Sequence, residues 1–92
     1  MSRPPNIIFI GKKPIMTYVN ATLTLLSNEP VVTIKARGKS ITTAVDVSQM
    51  IVKRLNAVGY KVNGVRIFSE RLTSQDGKER NVSTIEVDVS RP

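Results

Sequence analysis

"NIIFIGKKPIMTYV", residues 6–19, changes its structural rule halfway along. Residues 6–10 are a short apolar run rich in β-branched side chains, too short for a helix, and read as a buried strand. Pro14 suits the first turn of a helix. Ile15, Val19, Leu23 and Leu26 then recur at helical spacing until "SNEP", residues 27–30, ends the element. Between strand and helix stand Lys12 and Lys13. A helix start already carries unsatisfied N–H donors and a partial positive charge, so stability alone favours Ser, Asp or Asn there. With Pro14 as the first helical residue, Lys13 takes the capping position and offers no acceptor. Free helix N–H groups beside two ammonium groups suit a phosphate.

The same rule repeats downstream. "VVTIKAR", residues 31–37, reads as a second strand. Ser40 can cap a second helix, with Ile41, Ala44, Val45, Ser48, Ile51, Val52 and Leu55 on one face and Gly59 at its C-terminal end. Two further strands, roughly 61–74 and 80–90, flank "SQDGK". On the last strand Ile85, Val87 and Val89 alternate with Thr84, Glu86 and Asp88, so the first set faces the core. A two-residue Asp76-Gly77 turn would set Ile67 against Glu86 and mix the faces. A three-residue loop, Gln75-Asp76-Gly77 with Gly77 left-handed, sets Ile67 against Ile85 and Val65 against Val87. It also places Arg66 opposite Glu86 as an outer-face ion pair, and Gly64 marks a bulge.

The reading is therefore α+β, a single βαβαββ domain over residues 1–92 with a flexible stretch at 1–5. Each helix returns the backbone, so strands one, two and three point the same way and their C-terminal ends share one edge. Lys12 and Lys13 follow strand one at that edge, and Arg37 and Lys39 follow strand two. A hairpin carrying Arg71, Lys78 and Arg80 projects from it after strand three, while Glu29 and Asp88 fall towards the opposite edge together with Arg3, Lys61 and Arg91, so the separation of charge is imperfect. Lys35, Arg37 and Lys39 alternate against Ile34 and Ala36, and Gly38 allows close approach of a ligand or eases the turn. Lys53 and Arg54 read as ordinary surface.

Composition narrows the chemistry. Fourteen Lys and Arg against seven Asp and Glu give 92 residues a formal charge of +7, which favours an acidic partner such as nucleic acid. Hydrophobic content of 40% marks a folded domain rather than a basic tail. With no cysteine and no histidine, thiolate chemistry and the usual general base are missing. Neither a GxxxxGK[ST] loop nor a carboxylate cluster for a metal is present. No enzyme activity, cofactor or metal is expected. No apolar run approaches the ~18 residues of a membrane span, so an intracellular, cytoplasmic protein with no membrane partner is expected.

"IGKKPIMTYV" (10–19), "IKARGKSITTAVD" (34–46) and "LTSQDGKERNVSTIEV" (72–87), in that order, resemble the Alba family of archaeal chromatin proteins. The resemblance covers about residues 6–90. It implies a fold like the C-terminal domain of bacterial translation initiation factor three, assembled as a dimer with protruding hairpin arms. It further implies that Lys12, Lys13, Arg37 and Lys39 contact duplex DNA from the dimer body, while Arg71, Lys78 and Arg80 reach along the minor groove. Lys12 corresponds to the family's acetylation site, which implies an acetylase and a deacetylase as partners and association with the nucleoid. Leu55 stands where related proteins often carry an aromatic residue joining neighbouring dimers along DNA, and Glu79 brings an acid to the arm tip. Both departures fit a second paralogue, so a heterodimer with a paralogue stands beside the homodimer.

Two classes of function compete under this reading. One is a sequence-tolerant duplex-DNA-binding protein that coats, bridges or compacts chromosomal DNA. The other is an RNA-binding or ribonucleoprotein subunit. Aromatic residues make up only 4% of the chain, which disfavours recognition by base stacking.

Overall fold

A computed structural model describes residues 6–92, so the reading of 1–5 as flexible lies outside the described residues. The elements follow the expected order. They are β1 (Ile7–Phe9), α1 (Ile15–Leu26), β2 (Val31–Arg37), α2 (Ile41–Leu55), β3 (Lys61–Thr73) and β4 (Glu79–Ser90), with one-turn 3-10 helices at Gly38–Ser40 and Asn56–Val58 on either side of α2. The four-stranded sheet has the order β1-β2-β4-β3. β1 pairs parallel to β2, and β4 lies antiparallel between β2 and β3. β1, β2 and β3 therefore point the same way, and their C-terminal ends share one edge.

Both helices pack on one face of the sheet. Val32, Ile34 and Ala36 of β2 and Ile85, Val87 and Val89 of β4 meet Val19, Leu26, Ala44, Val47 and Ile51 in one buried cluster. Leu26, Val32, Ile34, Val47 and Val89 are 0% exposed, and burying each such side chain contributes about 1.5–3 kcal/mol. Apolar residues alternating on the strands and recurring at helical spacing on α1 and α2 produce this two-layer arrangement.

The hairpin has the register expected from its alternation. Val65 pairs with Val87, Arg66 with Glu86 and Ile67 with Ile85, and the ladder shifts between Val62 and Gly64. Asn63 is thus the extra residue of a bulge. At the tip the Ser74 N–H donates to the Lys78 carbonyl and the Gly77 N–H to the Ser74 carbonyl, closing a loop of Gln75, Asp76 and Gly77. Gly77 has φ +82°, as that loop requires. Pairing continues to Thr73 and Glu79, and the arm contributes to a long axis of 47 Å. Gly59, φ +103°, ends the second helical segment in the left-handed conformation, with the Tyr60 N–H donating to the Leu55 carbonyl.

Five local expectations are corrected. The buried strand expected over residues 6–10 spans only Ile7–Phe9 and is half-buried, with Phe9 39% exposed, because β1 is an edge strand. Pro14 is the N-cap of α1 rather than its first residue, with ψ 145° still extended, so Lys13 lies one position further out. Ser40 precedes α2 but makes no capping bond, because the 3-10 turn already curls its backbone to φ −80°, ψ −7°. Val45 is 39% exposed, since Val47, which the apolar-stripe reading omitted, takes the inward position. Val65 and Ile67 point to the helix side yet remain 54% and 79% exposed, because β3 is an edge strand that the helices do not cover.

Candidate nucleic-acid interface

The β1–α1 loop is held from below by one phenol. Tyr18, on the first turn and a half of α1, is only 6% exposed, and its oxygen accepts the N–H groups of Gly11 and Lys13, both at 2.9 Å. A Cβ at Gly11 would stand 3.2 Å from that oxygen, so glycine leaves room for the clamp. Lys12 and Lys13 are exposed above it. No side chain caps α1, and its first turn contains no acid. The loop thus presents two cations beside the positive end of a helix.

The β2–α2 junction adds Arg37 and Lys39, both exposed, on either side of Gly38 at φ +55°. A Cβ at Gly38 would meet nothing within 4 Å, so torsion alone favours glycine there. On the arm, Lys78 and Arg80 are exposed without a carboxylate partner among the described residues. Arg71 faces Glu79 at 3.6 Å, with the two side chains 70% and 60% exposed, a geometry in which an ion pair contributes little. Asp76 accepts bonds from the Ser74 hydroxyl and the Lys78 N–H, which hold its carboxyl below the ordinary value and fix the tip.

The sheet face opposite the helices carries a different kind of charge. Arg66 donates through Nε to Glu86 at 2.8 Å and through both Nη atoms to Asp88 at 2.8 Å, while the Thr33 hydroxyl donates to Asp88 at 2.7 Å. Lys35 lies 3.4 Å from Glu86 and 3.9 Å from Glu70, with its ammonium 5.9 Å and 5.8 Å from the Phe9 and Phe68 ring centroids. Arg37 donates through Nε to Glu70 at 2.8 Å and through Nη2 at 3.4 Å, and the Thr84 hydroxyl donates to the same carboxylate at 2.9 Å. These donors lower the carboxyls: Arg66 is the main cause at Glu86 and Asp88, and Arg37 at Glu70. Arg66 and Arg37 are correspondingly raised, by Asp88 and by Glu70.

The expected interface residues therefore separate into two groups. Lys12, Lys13, Lys39, Lys78 and Arg80 have no carboxylate partner among the described residues, whereas Arg37 and Arg71 each have one. Beside α2 an apolar groove of about 370 Å³, lined by Ile41, Ile67, Phe68 and Ile85 among others, lies open along the β3 edge. Leu55, at the C-terminal end of α2, is half-buried against the core. Among the described residues no group of three or more His, Cys, Asp or Glu is placed to hold a metal ion. No helix there is long and apolar enough to cross a membrane.

A family model described as Alba matches residues 6–69. The chain belongs to the Alba family. It is 57% identical over 84 residues to the DNA/RNA-binding protein Alba of Nitrosopumilus maritimus, covering 91% of this chain and 88% of that one. It is 40% identical over 88 residues to the DNA/RNA-binding protein Alba of Methanocella arvoryzae, covering 95% and 91%. Among solved structures, Alba from Thermoplasma volcanium superposes with a TM-score of 0.83 at 42% identity, over 94% of this chain and all of that one.

Within this Alba fold, three participants escape a reading of the sequence. Tyr18 looks like one more apolar helix position, and nothing in the sequence marks its oxygen as the acceptor for the lysine loop. Glu70 and Thr84 join Arg37 through the β2–β4 and β3–β4 pairings together, with Arg37 opposite Thr84 and Glu70 opposite Val82. Alternation on β3 and β4 exposes the Arg66–Glu86 pair but not the non-local Arg37–Glu70 one.

Proposed function

We propose that this Alba chain is a non-enzymatic nucleic-acid-binding protein of chromatin that coats, bridges or compacts duplex DNA with little regard to sequence. The carrying observation is that Lys12, Lys13 and Lys39 have no carboxylate partner among the described residues at the edge shared by the C-terminal ends of β1 and β2, while Lys35, Arg37 and Arg66 on the open face of the sheet each have one. Unpaired ammonium groups beside an uncapped helix start suit phosphates, and phosphate contacts position a protein without reading bases. In this reading the loops grip the backbone, and the arms, through Lys78, Arg80 and Arg71, follow the minor groove.

The working unit is a dimer. In this reading a second copy covers the groove beside α2, which Ile67 lines, together with Val65 exposed on the same face of β3, and both arms then project to one side. A homodimer is the simplest form, and a paralogue sharing the strip would give a heterodimer. Leu55 is the candidate contact between neighbouring dimers. Lys12 is the candidate acetylation site, where losing one charge removes a phosphate contact on each subunit. Association with the nucleoid follows from the partner.

Binding isotherms at two or more salt concentrations test this reading. Each phosphate contact contributes about 0.9 to the slope of log K against log salt, so Lys12→Gln or Lys13→Gln lowers its magnitude by about 1.8 per dimer with little change in melting temperature. Unchanged affinity in the double variant at low salt would refute it. RNA is the second reading, favoured by relatives named DNA/RNA-binding proteins. Side-by-side titration with duplex DNA, duplex RNA and single strands ranks the two.

A further inference from the structure

Among the four cations expected on the body, Arg37 is the exception. Its Nε and Nη2 edge is closed onto Glu70 at 2.8 Å and 3.4 Å, and the same carboxylate takes the Thr84 hydroxyl at 2.9 Å and faces Lys35 at 3.9 Å. A guanidinium edge, a hydroxyl and an ammonium converging on one oxyanion make the donor set that would also receive a phosphate oxygen. We infer that Glu70 is an intramolecular stand-in for a backbone phosphate, holding Arg37 in reserve so that bound nucleic acid must displace a carboxylate to engage it. This inference rests on the phosphate-binding reading above and assigns Glu70 a role in setting affinity.

The placement fits that role. Glu70 lies on β3 near the base of the arm, and Arg37 closes β2 next to Gly38 and Lys39 at the loop edge. The Arg37 side chain is 41% exposed and Glu70 26%, so the pair lies within reach of a ligand. Lys35 remains anchored by Glu86 at 3.4 Å whether or not Glu70 is charged, so loss of the carboxylate releases Arg37 chiefly. Thr84 is buried, and its hydroxyl can still donate to a glutamine carbonyl at position 70. Arg37 therefore contributes less to binding than its charge suggests, because each phosphate contact it gains costs one carboxylate contact.

A double-mutant cycle on the full chain tests the inference, using a labelled random-sequence duplex at two salt concentrations. The variants are Glu70→Gln, Arg37→Gln and both together. Glu29→Gln, at the opposite end of β2, controls for net charge. Glu70→Gln is expected to bind about two- to five-fold tighter per subunit, the range an exposed ion pair spans, with a salt slope steeper by about 0.9 per subunit. Arg37→Gln is expected to weaken the wild type less than two-fold, roughly, yet to abolish the whole gain in the Glu70→Gln background. Thermal melts of each variant verify folding. Weaker binding by Glu70→Gln, a gain no larger than that of Glu29→Gln, or equal Arg37→Gln effects in both backgrounds overturns the inference while leaving phosphate binding intact. Failure of the wild type to bind any duplex overturns both.

Discussion

Tyr18→Phe isolates what positions the lysine loop from what charges it. The substitution keeps the ring in the core and removes a single oxygen, which in the native chain accepts N–H groups from Gly11 and Lys13 at 2.9 Å. Each such bond contributes about 0.5–1.5 kcal/mol net. The expected loss for the two bonds is about 1–3 kcal/mol, and for a domain of this size each kcal/mol lowers the melting temperature by roughly 4–8 °C. The freed loop must be re-ordered when it meets a phosphate. Fixing the backbone of about one residue costs at least ~1 kcal/mol, close to a five-fold loss of affinity.

Every charge is retained, so the slope of log K against log salt stays at the wild-type value. Weaker binding with an unchanged slope separates this variant from Lys12→Gln or Lys13→Gln, which lose slope as well. Amide exchange gives an independent readout, since the Gly11 and Lys13 N–H groups should exchange faster while the α1 core amides do not. If Tyr18→Phe leaves these two amides protected and the melting temperature unmoved, the clamp is no clamp, and the reasoning fails whatever the binding data show.

Two further outcomes follow from the apolar strip and the open face. Ile67→Asp, at a position 79% exposed, is expected to give a monomer in sedimentation at tens of micromolar, roughly, with the fold retained; an unchanged mass would remove the strip from the dimer interface. Glu86 and Asp88 are held below their ordinary values by Arg66, so the stability they confer is present above the unfolded carboxyl range of about 4 and is lost as pH falls through their lowered folded values. Melting temperature should hold steady from neutral pH to about 5 and fall below about 4, and Arg66→Ala should flatten that fall; equal acid slopes in the two proteins would exclude the pair as its source.

Local chemistry explains which parts of the structure were legible in the sequence. The register of β3 and β4 follows from alternation and from one glycine that the turn needs left-handed, and both signals lie within a few residues of what they determine. The position of β4 between β2 and β3 is non-local, and the Arg37–Glu70 pair depends on it. Pro14 shows the ambiguity of a residue without an N–H: it suits the first helical position and the N-cap alike, and only its ψ of 145° decides. Alternation told which face Val65 and Ile67 take but not whether a helix reaches over them.

The distribution of carboxylates also explains how a charge of +7 becomes directional. The chain has seven acids, and Glu70, Glu86 and Asp88 all stand on the open face of the sheet against Lys35, Arg37 and Arg66. That face has no helical layer to cover it, and cross-strand pairs make it locally neutral at little desolvation cost because it remains partly wet. A polyanion approaching there meets carboxylates already engaged with their own cations. At the loop edge, Lys12, Lys13 and Lys39 meet no carboxylate among the described residues, and the N-terminal end of α1 adds its dipole in the same direction. Placing these acids on the sheet leaves Lys12, Lys13 and Lys39 at the shared strand ends, and Lys78 and Arg80 on the arm, without a carboxylate partner among the described residues. Moving one acid from the open face to the β1–α1 loop preserves net charge and, on the phosphate-binding reading, is expected to weaken duplex binding, because the distribution of charge as well as its total steers a polyanion.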